Sequence, residues 1–238
     1  MIEFVAETGS TNADLSARLA SGQPVAEGNW LVVDRQLAGR GRLGREWFDG
    51  SGNFMGSTVV QLGTGEPHAG SLALVAGLAV HEAVSEILPA PHRAELKWPN
   101  DLMIGMAKLA GILLERVGTA VVVGIGVNLA RAPVVDGRAT IALAELTAPP
   151  SRDAFAASLA AHFERELHRW RAYGLEPILS RWQAAAHPVG TSLRVGPGEA
   201  MLVGEFGGLT DDGALQLRLP GGTTQVIHAG DVFLAAER

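Results

Sequence analysis

The first 187 residues alternate between apolar stretches and polar turns in a way that predicts both strands and helices. Short apolar runs bounded by turn residues predict strands at residues 2–6, 30–33, 53–62, 95–98, 109–115 and 120–125. Apolar residues at helical spacing, among them Leu74, Val75 and Leu78, predict a helix over residues 71–88. This mixture indicates an α+β protein in which helices pack on a mixed sheet.

Two further helices are predicted from the residues that precede them. Ser10, Thr11 and Asn12 come directly before an Ala- and Leu-rich segment, where such side chains satisfy free N–H groups of a first helical turn. Ser151 stands in the same relation to a helix over residues 152–173. Capping alone explains residues 10–12, and a role in ligand binding is an equally open interpretation.

Beyond Trp182 the pattern changes to short strands with glycine-rich turns between them. Strands are predicted at residues 192–195, 200–207, 215–219 and 223–228. The sequences Asp-Asp-Gly at 211–213 and Pro-Gly-Gly at 220–222 are typical of hairpin turns. About fifty residues of this kind predict a small β-barrel. We therefore expect two domains, residues 1–187 and residues 188–238.

Composition and charge narrow the class of protein. The 238 residues include no cysteine, which excludes disulfides, thiolate metal sites and cysteine nucleophiles and fits a cytoplasmic location. No signal peptide is visible at the N-terminus, and residues 69–88 contain His81 and Glu82, so a buried helix is expected there rather than a membrane span. The net charge of −6 argues against binding of DNA by bulk charge attraction.

The densest concentration of basic chemistry is a loop at residues 36–47. Glycines and arginines alternate there, and the run reads Gln36, Leu37, Ala38, Gly39, Arg40, Gly41, Arg42, Leu43, Gly44, Arg45, Glu46 and Trp47. Glycine lets a backbone approach a ligand closely, and arginine supplies charged forks suited to carboxylates and phosphates. The loop is therefore predicted to hold a small anionic ligand. A solvated basic turn is the plainer alternative.

The same glycines also fit the G-x-G-x-x-G pattern of dinucleotide-binding proteins. That pattern requires a helix to begin at the glycines, so that its N-terminus meets the pyrophosphate. Residues 48–53 instead contain two more glycines with Asp, Ser and Asn, which predicts a loop. A P-loop, an H-E-x-x-H site and a G-x-S-x-G nucleophile elbow are all absent from the sequence.

The sequence has only two lysines, and both lie in the middle of the chain. Lys97 opens Lys-Trp-Pro-Asn-Asp at 97–101, and Lys108 leads directly into an apolar strand. A lysine at such a position can place its charge against a reacting phosphate oxygen, although a solvent-facing lysine at a strand end is the simpler interpretation. Asn100 and Asp101 are expected to begin a polar turn, and could orient a nucleophile or hold a metal through water.

Together these segments resemble the biotin protein ligases. The matching pieces occur in the order expected for the family, and they are Ser-Thr-Asn at 10–12, the glycine-arginine loop, Lys-Trp-Pro-Asn-Asp at 97–101, residues 108–115 and Gly-Ile-Gly-Val-Asn at 124–128. The resemblance implies the biotin/lipoate ligase catalytic fold followed by an SH3-like C-terminal barrel. The catalytic pattern begins within ten residues of Met1, so we expect a form that lacks the N-terminal DNA-binding domain of some relatives.

The resemblance also implies a reaction and its site. Biotin would react with ATP and Mg²⁺ to give biotinyl-5′-AMP, and a lysine of a biotin carboxyl carrier domain would then accept the biotinyl group. The implied catalytic residues are Arg42, Lys108 and, as an orienter of the incoming lysine, Asp101. The implied ligand-binding residues are Ser10, Thr11, Asn12 and Gln36, with the backbone of Gly39 and Arg40, for the biotin head, Arg42 and Lys108 for the carboxyl and phosphate groups, Trp47 over the adenylate and Asn128 near the adenine. Gly41, Lys97 and Asn100 are further implied binding residues without a more specific role. The metal ligands stay unassigned.

Two alternatives stay open at this point. One is an enzyme that attaches lipoate or octanoate on a similar fold, although Lys-Trp-Pro-Asn-Asp and the barrel favour biotin. The other is a non-catalytic binding module, against which the acidic balance and Lys108 argue. Neither DNA nor a membrane is an expected partner, and pairing of two copies through exposed sheet edges is left open.

Overall fold

The computed structural model describes residues 1–48, 50–196 and 201–235. In chain order, the first part contains β1 (Ile2–Thr8), α1 (Thr11–Ala20), β2 (Trp30–Gln36), β3 (Phe54–Gln61), α2 (Leu72–Ser85), β4 (Ala94–Lys97), β5 (Asp101–Ile104), β6 (Ala107–Val117), β7 (Ala120–Val127), α3 (Arg152–Tyr173) and α4 (Glu176–Ala185). The second part contains β8 (Ser192–Val195), β9 (Leu202–Leu209), β10 (Leu215–Arg218), β11 (Thr224–Ile227) and β12 (Val232–Leu234).

The first seven strands form one mixed sheet in the order β1-β2-β3-β7-β6-β5-β4. Only β1 and β2 run parallel, and every other neighbouring pair in this sheet is antiparallel. The last five strands form a separate antiparallel sheet in the order β11-β10-β9-β8-β12. The α+β class is therefore as predicted.

The two faces of the large sheet are covered unequally. On one face, α1 packs on β2, β3, β6 and β7 and buries a small apolar cluster around Leu15, Val59 and Val122. The opposite face carries α2, which packs on β4 to β7, and α3 lies over α2 and β3. Because α1 is only ten residues long, it leaves part of its face of the sheet uncovered. The candidate site lies on that uncovered part.

The large core continues into the small sheet. Trp182 of α4 meets Phe206 of β9 edge-on, with ring centroids 6.5 Å apart, and both side chains are buried. The indole N–H of Trp98 donates to the carbonyl of Gly213 at 3.0 Å. One apolar cluster therefore joins both parts of the chain. Among the described residues, no helix has the length and apolar character needed to cross a bilayer.

Candidate active site

A cavity of about 740 Å³ opens on the face of the large sheet that α1 covers only in part. It is bordered by the start of α1, the glycine-arginine loop, the ends of β4 to β7 and a short segment of the small sheet. Every residue that the sequence assigns to the site lines it, namely Ser10, Thr11, Asn12, Gln36, Gly39, Arg40, Gly41, Arg42, Trp47, Lys97, Asn100, Asp101, Lys108 and Asn128.

Glycines keep the floor of the cavity open. Gly111 of β6 pairs with Gly126 of β7, and Gly124 pairs with Ser57 of β3. A Cβ at Gly124 would lie 2.1 Å from the Asn12 Oδ1 atom, and one at Gly126 would lie 2.2 Å from the Trp47 ring. Side chains from α1 and from the loop can lie flat on the sheet only because these positions carry none.

The start of α1 presents a buried polar group to the cavity. Ser10 caps the helix by accepting from the Ala13 N–H at 3.4 Å, as the sequence predicted. The Thr11 N–H donates to Gln36 Oε1 at 2.9 Å, and the Thr11 hydroxyl lies 2.6 Å from Ser57 Oγ. Sequence reasoning missed Ser57, because a serine inside a strand gives no signal until the neighbouring strand and helix are placed.

The glycine-arginine loop is closed by its own backbone and not by a helix. Arg40 and Glu46 form an isolated antiparallel bridge, and the Gly41 N–H donates to the Arg45 carbonyl at 2.7 Å. Only a single 3₁₀ turn, Arg42–Gly44, interrupts the loop. The loop predicted after these glycines is therefore confirmed for residues 45–48 and 50–53, which the structure describes. The three arginines diverge: Arg40 is exposed, whereas Arg42 turns inward and Arg45 pairs with Asp231.

Trp47 ends the loop and lies over the glycine floor. Its ring contacts Gly126 and Gly111, and the Lys108 ammonium lies 5.7 Å from the ring centroid. The indole Nε1 is buried and has no hydrogen-bond partner in the described part of the chain. A buried donor without a partner is costly, so this N–H is well placed to meet an acceptor on a bound ligand.

Two lysines share one buried carboxylate at the other end of the cavity. Lys97 Nζ lies 2.8 Å from Asp101 Oδ2, and Lys108 Nζ binds Asp101 Oδ1. Burial would raise the pKa of Asp101, but the charges and hydrogen bonds of Lys108 and Lys97 hold it well below its ordinary value. Burial also lowers the pKa of Lys108, and Asp101 offsets only part of that change. The cluster therefore has more cationic than anionic groups and is suited to an anion.

Asp101 corrects one prediction made from the sequence. Asn100 and Asp101 do not begin a turn: the turn lies at residues 98–100, and Asp101 already pairs with Lys97 as the first residue of β5. Both of its carboxylate oxygens are bound by lysines, which gives no support to a metal held there. The described residues contain no group of three or more His, Asp or Glu side chains that could hold a metal ion. Neither lysine points freely into water, since the side chains of Lys97 and Lys108 are only 7% and 15% exposed.

Asn100 fixes Arg42 beside this cluster. Arg42 Nη1 donates to Asn100 Oδ1 at 2.9 Å, while Asn100 Nδ2 donates to the Ile112 carbonyl at 2.7 Å. The second guanidinium nitrogen, Nη2, donates to the carbonyl of Gly230 at 3.2 Å. Arg42 is thereby held between the large sheet and the small one.

Asn128 borders the cavity at the end of β7. Its Nδ2 donates to the Ile141 carbonyl at 3.2 Å, whereas its buried Oδ1 has no partner in the described part of the chain. An acceptor left open in this way suits a ligand that carries an N–H group.

The small sheet contributes to the site through its last strand. The Lys97 ammonium donates to the Val232 carbonyl at 2.7 Å, and Arg45 forms an ion pair with Asp231. The sequence did not predict β12 or its place in the cavity, because three residues are too few to show a strand pattern.

Comparison with known families shows which family the chain belongs to. The profile of the biotin/lipoate A/B protein ligase family matches residues 7–129, just over half of the chain. The chain belongs to this family. A second profile, that of the biotin protein ligase C-terminal domain, matches residues 193–235. The resemblance, the fold class with its SH3-like C-terminal part and the expectation of a ligase enzyme are thereby confirmed.

Individual ligases of this family are similar over nearly the whole chain. The biotin–[acetyl-CoA-carboxylase] ligase of Paracoccus denitrificans is 40% identical, over 97% of this chain and 99% of that protein. The protein of the same name from Mycobacterium tuberculosis is 38% identical, over 97% and 88%. The structure of a biotin protein ligase from Aquifex aeolicus in complex with biotin and ATP superposes with a TM-score of 0.85 at 26% identity, covering 98% and 99%.

Proposed function

We propose that this ligase activates biotin with ATP as biotinyl-5′-AMP and transfers the biotinyl group to a lysine of a biotin carboxyl carrier domain. One observation carries the proposal: a single cavity joins a neutral polar end, at Thr11 and Gln36, to a cationic end, at Arg42, Lys97 and Lys108. Biotin has a neutral ureido head and an anionic carboxylate, and ATP is an anion. The names of the two ligases from Paracoccus denitrificans and Mycobacterium tuberculosis support the same reaction.

In the first step, a carboxylate oxygen of biotin attacks the α-phosphorus of ATP. A P–O bond forms, the bond to the bridging oxygen breaks, and pyrophosphate leaves with its electron pair. Both reactants are anions, so their mutual repulsion must be screened. Lys108 and Arg42 supply fixed positive charge for this purpose at the buried end of the cavity.

Magnesium accompanies ATP in this proposal. Mg²⁺ is commonly bound through substrate phosphates, one or two carboxylates and water, and when bound it neutralises charge on the phosphates. Since Asp101 already binds two lysines, we assign no protein ligand to the metal.

In the second step, a neutral lysine amine of the carrier attacks the acyl carbon. A C–N bond forms, the C–O bond to AMP breaks, and the amine loses a proton. The sequence assigned Asp101 the orientation of this incoming lysine. Its two ion pairs instead support a role in holding Lys97 and Lys108 in place. Trp47 lies over the floor and would shield the mixed anhydride from water.

We place the adenine near Asn128, whose open Oδ1 can accept from an exocyclic amine. The biotin head is placed at the start of α1, where Ser10, Thr11 and Asn12 line the cavity with Gln36 and the backbone of Gly39 and Arg40. A cytoplasmic location, a homodimer and the domain limits 1–187 and 188–238 stay predictions.

The test is pyrophosphate release with ATP and Mg²⁺ as a function of biotin, followed by the intact mass of an added carrier domain. We expect biotin-dependent release and the addition of one biotinyl group to the carrier. Release with lipoate or octanoate, but not with biotin, would move the chain to the other branch of its family. If none of the three acids caused pyrophosphate release, the proposal would be contradicted.

A further inference from the structure

Glu115 is a carboxylate that the proposed chemistry does not use. It lies on β6, outside the residues that line the cavity, and accepts a hydrogen bond from Asn12 Nδ2 at 2.8 Å. Asn12 is buried, and its amide lies flat on Gly124. Only the Asn12 side chain therefore separates Glu115 from the neutral polar end of the cavity.

The carboxylate dictates how the Asn12 amide is turned. An ionised carboxylate only accepts hydrogen bonds, so the NH₂ group of Asn12 must face Glu115. The amide oxygen then faces the opposite way, toward Ser57, and Asn12 Oδ1 lies 2.6 Å from Ser57 Oγ. Because an amide oxygen also only accepts, the Ser57 hydroxyl must donate to Asn12.

The same logic continues to Thr11. The Ser57 hydroxyl has a single proton, which it gives to Asn12, so it must accept from the Thr11 hydroxyl at 2.6 Å. The Thr11 proton is therefore used within the protein, and the longer 3.2 Å contact from its oxygen to Gln36 Oε1 carries no proton. Thr11 is left to present lone pairs, and not a proton, to the cavity that it lines.

We propose that Glu115 is a positioning residue that fixes the direction of the hydrogen-bond chain from Asn12 through Ser57 to Thr11. This inference rests on the proposed function, since the group received at Thr11 is an N–H of the biotin ureido ring. Without an acceptor at position 115, the Asn12 amide is free to turn its NH₂ group toward Ser57. The direction of both hydrogen bonds in the chain would then reverse. The Thr11 hydroxyl would offer a proton to the ureido N–H group, which is itself a donor.

Two substitutions of similar size separate this role from simple space filling. Glu115→Met removes the acceptor, whereas Glu115→Gln retains a carbonyl oxygen that can accept from Asn12. We expect Glu115→Met to raise the KM for biotin about tenfold, the equivalent of one or two lost hydrogen bonds, with the KM for ATP and kcat unchanged. Glu115→Gln should stay near the wild-type KM. Glu205→Met, which removes an exposed carboxylate on β9, is the matched control.

A charge exchange provides an independent check that does not depend on how well Glu115→Met folds. Asn12→Asp alone places two carboxylates together and should raise the KM for biotin. In the double variant Asn12→Asp with Glu115→Gln, the amide introduced at position 115 donates to the carboxylate at position 12, whose other oxygen still accepts from Ser57. We expect the double variant to recover most of the loss.

The outcomes distinguish this inference from the function it rests on. A wild-type enzyme without biotin-dependent turnover would remove the proposed function itself. An active wild type with an unchanged KM for biotin in Glu115→Met would overturn the role of Glu115 alone. Equal losses toward biotin and ATP, or a double variant no better than Asn12→Asp, would also overturn it, because a general packing defect predicts those results.

Discussion

At the scale of single residues, Lys108 bears most of the proposed chemistry. Its side chain is only 15% exposed, and its ammonium pairs with Asp101 and lies beside Trp47. We expect Lys108→Met to lower the rate of pyrophosphate release by about 10²- to 10³-fold, as the loss of a preorganised charge does elsewhere. Stability should change little, because Asp101 keeps Lys97 at 2.8 Å as a partner. Rapid-quench measurement of pyrophosphate, together with thermal unfolding, checks both statements.

Arg116→Met is the control for this prediction, since Arg116 is an exposed cation on the same strand. It should keep the wild-type rate. A Lys108→Met enzyme that released pyrophosphate as fast as wild type would show that the adenylation step does not use this charge.

Most residues of the site could be named from the sequence, but the contacts between their side chains could not. The resemblance named fourteen residues, and all fourteen line one cavity. Ser57 and Glu115 had no local signal, because their importance comes from β3, β6 and α1 meeting across more than forty residues of chain. The ion pairs of Asp101 with Lys97 and Lys108 could not be predicted either, because they depend on where β5 lies in the sheet.

At the scale of elements, most helices and strands were predictable, and those without a clear signal at their start were not. The helix predicted at 152–173 is α3, and the strand predicted at 192–195 is β8. Strand β5 was missed, because its first residue, Asp101, directly follows Pro99 and Asn100 and was read as part of a turn. Helix α4 was missed although Ile178, Leu179 and Trp182 have helical spacing. Its first turn contains a proline, and no capping side chain marks its start.

The connector between α4 and β8 contains a buried histidine that makes stability depend on pH. Burial lowers the pKa of His187, although Glu95 at 2.9 Å opposes this. The unfolded chain therefore binds this proton more readily. The contribution of neutral His187 is complete above the unfolded pKa of about 6.5 and declines as the pH falls toward the lower folded pKa.

We expect His187→Gln to reduce the slope of the unfolding free energy against pH, below about pH 6.5, by up to about 1.4 kcal/mol per pH unit. Urea unfolding at a series of pH values measures this slope. His168→Gln removes an exposed histidine on α3 and should leave the slope unchanged. Equal slopes for His187→Gln and wild type would mean that His187 does not contribute to the pH dependence of stability.

At the scale of the whole molecule, the site depends on both sheets being held together. Arg42 donates to the carbonyl of Gly230, just before β12, and Lys97 donates to the carbonyl of Val232 in β12. These two hydrogen bonds form a polar seam between the two parts of the chain. The apolar contact between Trp182 and Phe206 joins the cores beneath that polar seam. The two parts look separable in the sequence, where the strand pattern changes abruptly after Trp182. Their continuity comes from packing, which periodicity along the chain does not report.

This continuity predicts cooperative unfolding of the two sheets. All five tryptophans lie at or before Trp182, so their fluorescence reports on the first part, whereas Phe206 lies in the second. Phe206→Ala should destabilise the protein by about 3–5 kcal/mol, because it leaves a cavity against Trp182. In Phe206→Ala, the unfolding midpoints measured by tryptophan fluorescence and by far-UV circular dichroism should fall by the same amount. Val226→Ala, on the exposed side of β11, should change neither midpoint. A fluorescence midpoint unmoved by Phe206→Ala would mean that the sheets unfold independently and that the polar seam alone aligns Arg42 and Lys97.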